Sequence, residues 1–234
     1  MNGQHTLIVA LDFDNLIDAE FLISKLDYKK VAIKVGSEMF TLFGPDFVRS
    51  LVARKFKVFL DLKFHDIPST VAKSCKAAAD LGVWMINVHA SGGLKMLQAA
   101  KEALIPYGTN RPLLIAVTVL TSMSNDDLLS SGINKPLEQR IIELAKIAKA
   151  AGLDGVVCSA LEVPLIKAQI GDDFITVTPG IRLKNDSKDD QSRSVTPEDA
   201  IKLKSDFLVI GRSITKAMNP ENIVEDLLKI VKTC

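Results

Sequence analysis

Charged side chains occur at positions where a buried strand would be apolar. Asp12 follows the apolar run LIVAL, Lys34 lies inside VAIKVG, and Asp61, Lys63 and Asp66 lie within the segment VFLDLKFHD. An unpaired buried charge is strongly destabilising. We therefore expect these five groups to pair with one another or to face a polar cavity.

The spacing of these residues indicates what Lys63 would do. Side chains alternate along a strand, so Asp61 and Lys63 are predicted to share one face. A lysine that acts as a Schiff-base nucleophile must lose its proton, which desolvation or a neighbouring cation promotes. Carboxylates two residues before and three after Lys63 favour its ammonium form instead. The pattern predicts Lys63 as a proton donor; a purely structural salt-bridge network is the alternative.

Short apolar runs recur along the chain and predict the strands that position these charges. Each run is apolar on successive residues, which is typical of strands buried on both faces of a parallel sheet. Stretches of helical period separate the runs. Eight such units predict an α/β protein, a TIM (β/α)8 barrel with a single domain over residues 1–234, and a doubly wound open sheet is the alternative. The runs are 7–11, 31–35, 57–62, 84–88, 113–120, 155–158, 175–178 and 207–210.

Two long polar connections are predicted at the end of the barrel where active sites form. Residues 121–135 follow the fifth strand and residues 181–195 follow the seventh. The loops after strands seven and eight often bind phosphate in such barrels. Here they contain Gly180-Ile181-Arg182 and Gly211-Arg212-Ser213. Gly211 permits close backbone approach and Arg212 offers a bidentate fork, so a phosphate site is predicted.

Composition excludes several classes of protein. Among 234 residues, 47% are hydrophobic and 24% are charged, which is ordinary for a globular protein. The net charge is +1, with one Trp and two Tyr, so we expect no nucleic-acid partner. No apolar run approaches the roughly 18 residues of a membrane span, and the N-terminal segment lacks a signal-peptide pattern.

No metal or cofactor is predicted. The three cysteines, Cys75, Cys158 and Cys234, are far apart, and reduced thiols in a cytoplasmic protein are the simplest interpretation. His65 and His89 do not combine with other ligands into a metal-binding pattern, and structural roles are expected for both. A dinucleotide-binding G-x-G-x-x-G motif is also absent.

The segment DLKFHDIPSTV resembles the D-x-K-x-x-D-I-P-x-T signature of the orotidine 5′-monophosphate decarboxylase family. The resemblance continues, in order, along nearly the whole chain. The further matching motifs are ALD at 10–12, IKVG at 33–36, NVHASGG at 87–93, TVLTSM at 118–123, TPGIR at 178–182, DDQ at 189–191, VTP at 195–197 and IGRSIT at 210–215.

The resemblance implies a role for each matching residue. Lys63 would protonate C6 of the pyrimidine, Asp61 would face the departing carboxylate, and Lys34 and Asp66 would complete the charged network. It also implies a homodimer with shared active sites, in which Asp66, Ile67 and Thr70 reach the neighbouring subunit's site. Further positions are implied for the ribose (Asp12, Lys34), the pyrimidine and its loop (Thr121, Ser122), and the phosphate and loop closure (Arg182, Gln191, Gly211, Arg212).

The predicted function is cofactor-free decarboxylation of orotidine 5′-phosphate to UMP and CO2, the last step of de novo pyrimidine biosynthesis. The alternative is a metal-dependent sugar-phosphate decarboxylase or aldolase of the same superfamily, similar to 3-keto-gulonate 6-phosphate decarboxylase. That branch uses an acidic residue on the second strand for its metal, where this chain has Lys34. A barrel that only senses a nucleotide is a third possibility, and the joint presence of Asp61, Lys63 and Asp66 argues against it.

Overall fold

The computed structural model describes residues 6–183 and 194–233, and its centre is a closed barrel of eight parallel strands. The strands pair in chain order, and the eighth pairs with the first. The closed barrel confirms the predicted TIM fold and excludes the open sheet. The strands are β1 (Thr6–Leu11), β2 (Ala32–Gly36), β3 (Val58–Phe64), β4 (Met85–His89), β5 (Leu113–Val117), β6 (Gly155–Val157), β7 (Ile175–Thr178) and β8 (Phe207–Ile210).

Helices follow the strands and cover the outside of the barrel. In the described part of the chain, short 3₁₀ helices lie next to them at Ala90–Gly92, Ile105–Asn110 and Ala160–Glu162. The α-helices are α1 (Leu16–Ser24), α2 (Ser37–Ala53), α3 (Pro68–Asp80), α4 (Gly93–Leu104), α5 (Asn125–Ser130), α6 (Leu137–Ala150), α7 (Val163–Ile170), α8 (Pro197–Lys202), α9 (Arg212–Thr215) and α10 (Pro220–Thr233).

The continuous apolar runs form strands because both of their faces are buried. One set of side chains fills the barrel and the alternate set packs under the helices. At β6 the interior position is Gly155, where an added Cβ would overlap the carbonyl oxygen of Ile175 on β7. The barrel interior is filled by Ile8, Ala10, Ala32, Phe59, Met85, Ile115, Ile175, Val177, Phe207 and Val209.

The N-terminal end of the barrel is held by buried or half-buried ion pairs. The carboxylate of Asp154, just before β6, accepts hydrogen bonds from both terminal nitrogens of Arg111 at 2.7 Å. It also accepts the backbone N–H of Leu114 at 2.8 Å. Asp206, just before β8, lies 2.7 Å from the ammonium of Lys167. Asp154 and Asp206 are therefore paired with cations at the end of the barrel opposite the predicted site, where they stabilise the fold.

The fifth strand is shorter than predicted. It ends at Val117, although the apolar run continues to Leu120. The chain turns three residues later, where the N–H of Met123 donates to the carbonyl of Leu120 at 2.9 Å. Val119 and Leu120 instead line a cavity at the C-terminal end of the barrel.

Within the described residues, no helix is long and apolar enough to cross a membrane.

Candidate active site

Charges from the first three strands form a row at the C-terminal end of the barrel. The ammonium of Lys34 on β2 lies 3.2 Å from Asp12 Oδ1 and 3.4 Å from Asp61 Oδ2. On the other side of Asp61, its Oδ1 lies 2.7 Å from Lys63 Nζ. Parallel pairing explains the proximity, since Ala10 of β1 is aligned with Lys34 and Gly36 of β2 with Asp61. The order Asp12, Lys34, Asp61, Lys63 alternates in sign.

The row keeps its two buried members charged. Burial alone would raise the pKa of the Asp61 carboxyl, but Lys34, Lys63 and a hydrogen bond from Asn87 outweigh it, and the net pKa is lowered. Burial alone would lower the pKa of the Lys34 ammonium, but Asp61 and Asp12 outweigh it, and the net pKa is raised. At neutral pH Lys34 and Asp61 are therefore both held in their charged forms.

Lys63 has an irregular backbone. Its φ is +51°, in the left-handed region that side chains other than glycine rarely adopt. The pairing of β3 with β4 shifts register between Leu60 and Phe64. The prediction that regular strand alternation brings Lys63 beside Asp61 is therefore incomplete: the two side chains meet across a bulge in β3.

Asn87 on β4 is a polar contact of the row that the sequence analysis did not single out. Its side chain is fully buried, and it bonds both Asp61 and the backbone of Lys63. The signal was present, because an amide inside the otherwise apolar run MINV is as unusual as Lys34 inside VAIKV.

A cavity of about 790 Å³ opens beside the row. Its apolar wall comes from interior barrel side chains of several strands, and its polar wall contains the charged row. Arg182 and Arg212 also line it, together with Gly180 and Gly211. An added Cβ at Gly211 would lie 3.2 Å from Asp12 Oδ2, so the Asp12 side chain would have to shift slightly to accommodate it. The apolar lining includes Phe59, Val117, Val157, Val177 and Val209.

Most of the predicted site residues line this cavity, and a few do not. Ser122 is not among the lining residues although its neighbour Thr121 is. Gln191 lies outside the described residues, as does most of the 181–195 connection. The described ends of that connection pair with each other, through Arg182 N–H to the carbonyl of Val195 at 3.0 Å. The predicted residues that line the cavity are Asp12, Lys34, Asp61, Lys63, Thr121, Arg182, Gly211 and Arg212.

Asp66 does not join the charged row within this chain, contrary to the expectation of one five-residue cluster. The chain leaves β3 after Phe64, and the Asp66 carboxylate instead accepts the N–H of Ile67 at 2.6 Å, just before α3. Asp66, Ile67 and Thr70 are all exposed, and Ile67 is 64% exposed despite its apolar side chain.

The two histidines pack against each other near Lys63. The ring centroids of His65 and His89 are 5.4 Å apart. Burial, His65 and Lys63 together lower the pKa of His89. In residues 6–183 and 194–233, no three His, Cys, Asp or Glu side chains are grouped as a metal site requires.

These features define a class of protein: a (β/α)8 barrel enzyme whose cavity sets an alternating row of charges beside arginines suited to an anionic substrate. A family model described as "Orotidine 5'-phosphate decarboxylase / HUMPS family" matches residues 5–227. The chain therefore belongs to the orotidine 5′-phosphate decarboxylase / HUMPS family.

Curated relatives and solved structures agree with this assignment. The chain is 65% identical over 223 residues to orotidine 5′-phosphate decarboxylase of Legionella pneumophila strain Philadelphia 1, which covers 95% of this chain and 97% of the relative. It is 58% identical over 221 residues to that of Vibrio cholerae O395, covering 94% and 96%. The crystal structure of orotidine 5′-phosphate decarboxylase from Lactobacillus acidophilus superimposes with a TM-score of 0.85 at 43% identity, covering 97% of this chain and 99% of that one.

Proposed function

We propose that this chain decarboxylates orotidine 5′-phosphate to UMP and CO2, the last step of de novo pyrimidine biosynthesis. Family membership and relatives of that name at 55–65% identity support the substrate. The observation that carries the chemistry is the contact of Lys63 Nζ with Asp61 Oδ1 at 2.7 Å, on the wall of a cavity that Arg182 and Arg212 also line. An acid and a carboxylate are thereby held together before the substrate enters.

The charged row would act on the bond between C6 and the carboxylate. Asp61 stays ionised and faces the substrate carboxylate, and their repulsion is relieved as the C6–carboxylate bond breaks and CO2 leaves. The electron pair remains on C6, where the adjacent Lys63 ammonium stabilises it and then donates a proton. Charges fixed before the reaction need no rearrangement in the transition state, which is the main source of catalysis in such sites.

Substrate binding would be divided among the remaining predicted site residues. Asp12 and Lys34, joined at 3.2 Å, would contact the ribose hydroxyls, and Thr121 and Ser122 the pyrimidine and its loop. Arg182, Gln191, Gly211 and Arg212 would hold the phosphate. Binding energy from this remote group would contribute to the chemical step as well as to affinity.

A homodimer with shared active sites is part of the proposal. Asp66, Ile67 and Thr70 are exposed and do not line their own chain's cavity, which leaves them available to a second copy. Ile67, which is apolar and 64% exposed in the single chain, would be covered by the second copy. Asp66 would then complete the charged row of the neighbouring subunit.

We also propose that the enzyme works in the cytoplasm without a metal or cofactor. The described cysteines, Cys75 and Cys158, are thiols in the buried core, which suits a reducing compartment. The metal-dependent sugar-phosphate branch is disfavoured because Lys34, a cation between two carboxylates, stands where that branch uses an acidic ligand.

The decisive experiment is an absorbance assay of the purified protein with orotidine 5′-phosphate, before and after exhaustive treatment with EDTA. We expect equal turnover in both samples. Loss of turnover with the chelator and recovery with magnesium would move the assignment to the sugar-phosphate branch. A folded protein without any turnover would refute the decarboxylase proposal.

A further inference from the structure

The bulge in β3 brings Lys63 to the cavity but disrupts the pairing of strands. Leu60 pairs with Ile86 and Phe64 pairs with Val88, so β3 has two more residues than β4 in this interval. The extra length includes Asp61 and Lys63. A bulge leaves backbone groups without their ladder partners, and a buried N–H without a partner is costly.

Asn87 supplies the missing partner for Lys63. The backbone N–H of Lys63 donates to Asn87 Oδ1 at 2.8 Å, so a side chain of β4 replaces a ladder hydrogen bond. This bond fixes Lys63 where its φ is +51°, a conformation that persists only when its surroundings impose it.

The other end of the same amide holds Asp61. Asn87 Nδ2 donates to Asp61 Oδ1 at 2.6 Å, and that oxygen is also the one 2.7 Å from Lys63 Nζ. The orientation of the amide is unambiguous, because a backbone N–H only donates and a carboxylate only accepts. One buried side chain therefore links the carboxylate of Asp61 to the main chain of Lys63.

We propose that Asn87 is a positioning residue for the reaction: its amide sets the Asp61 carboxylate and the Lys63 backbone at a fixed separation. The inference rests on the proposed decarboxylation. Asn87 is fully buried, so water cannot readily replace either bond when the amide is removed. A shift of about 1 Å in a reacting group can cost about 100-fold in rate.

The first test is Asn87→Ala, measured by steady-state kinetics and by the affinity for UMP. We expect kcat to fall by about 100-fold, with KM and UMP affinity changed much less, because the cavity walls and the arginines remain. Thr176→Val is the matched control. Thr176 is equally buried on β7, and its hydroxyl bonds Asp206 at the other end of the barrel. The control should lose stability but keep kcat.

The second test is Asn87→Asp, which keeps the shape of the side chain but faces Asp61 with a second carboxylate. Two carboxylates at this distance cannot both ionise readily and will share a proton. At low pH the shared proton replaces the hydrogen bond that Asn87 Nδ2 donates to Asp61. The proton dissociates as the pH rises, so the activity of the variant relative to wild type should fall from about pH 6 to about pH 9. Asn87→Ala has no such proton, and its relative activity should not change with pH.

The results that would contradict the positioning role differ from the one that would contradict the proposed reaction. A kcat of Asn87→Ala close to wild type, or equal loss in Asn87→Ala and Thr176→Val, would overturn the positioning role. If Asn87→Ala does not fold, the pH dependence of Asn87→Asp decides, and a flat ratio to wild type overturns it. An inactive wild-type protein would instead refute the decarboxylase proposal.

Discussion

Lys63 is the single residue that best separates chemistry from folding, because its side chain is one-third exposed whereas its partner Asp61 is buried. Lys63→Ala should abolish turnover while the protein stays folded, since the proton donor is lost. The measurement is kcat together with thermal unfolding followed by circular dichroism. Substantial turnover by a folded variant would rule out Lys63 as the donor.

Arg212 tests the phosphate site rather than the chemistry. A hydrogen bond to a charged group contributes about 1.5–3 kcal/mol, so Arg212→Ala should weaken substrate binding by roughly one to two orders of magnitude. The control is the nucleoside without phosphate, for which Arg212→Ala should hardly change kcat/KM while Lys63→Ala still abolishes it. Equal damage by Arg212→Ala with both substrates would contradict the phosphate assignment.

The ionised state of Asp61 predicts a dependence of stability on pH. Although burial opposes ionisation, Lys34, Lys63 and Asn87 hold the pKa of Asp61 below its ordinary 3.8. A carboxyl with a lowered folded pKa stabilises the fold above its unfolded pKa, and this contribution is lost as the pH falls through the folded pKa. The free energy of unfolding in urea should therefore decline below about pH 4, and less steeply in Asp61→Asn. Identical slopes would show that Asp61 is not linked to folding.

At the scale of elements, Gly155 on β6 should be intolerant of even a small side chain. Its Cβ position is occupied by the backbone carbonyl of Ile175, and an overpacked core costs about 1–3 kcal/mol. Gly155→Ala should lower the free energy of unfolding by about this amount, measured in urea. Gly211→Ala is the comparison, because its Cβ would approach only side chains of Ala10 and Asp12 and should affect activity first. Greater loss of stability in Gly211→Ala would contradict this distinction.

The strands could be predicted from the sequence because burial on both faces leaves a plain signal, a continuous apolar run. The observed strands lie within a few residues of the predicted ones. The run 113–120 extends beyond its strand because Val119 and Leu120 line the cavity instead of continuing the strand. Lys34 and Asp61 could be identified as site residues because a charged side chain stands out within a continuous apolar run.

The bulge in β3 could not be predicted. Lysine at positive φ has no sequence signature, and the bulge depends on Asn87, which is 24 residues away from Lys63 along the chain. Asp66 departs from the row for a related reason. Whether a strand continues past Phe64 is decided by its neighbours in the barrel, and the local sequence does not record them.

At the scale of the whole molecule, the proposed dimer predicts complementation between two inactive variants. In a mixed dimer of Lys63→Ala and Asp66→Asn chains, one of the two sites has both residues intact. Mixing the inactive variants should therefore restore up to about a quarter of wild-type activity when subunits exchange freely. The measurement is turnover after exchange verified by native mass spectrometry, with each variant alone as the control. No recovery after verified exchange would refute shared sites.

The ion pairs at the N-terminal end of the barrel, Arg111 with Asp154 and Lys167 with Asp206, have a consequence for how such a protein can change. They hold the strands together at the end remote from the cavity, so substitutions there and at the charged row share no partners. Effects at sites without shared contacts are close to additive. Evolution, or an engineer, can therefore alter the reaction at one end of this barrel and its durability at the other as two independent traits.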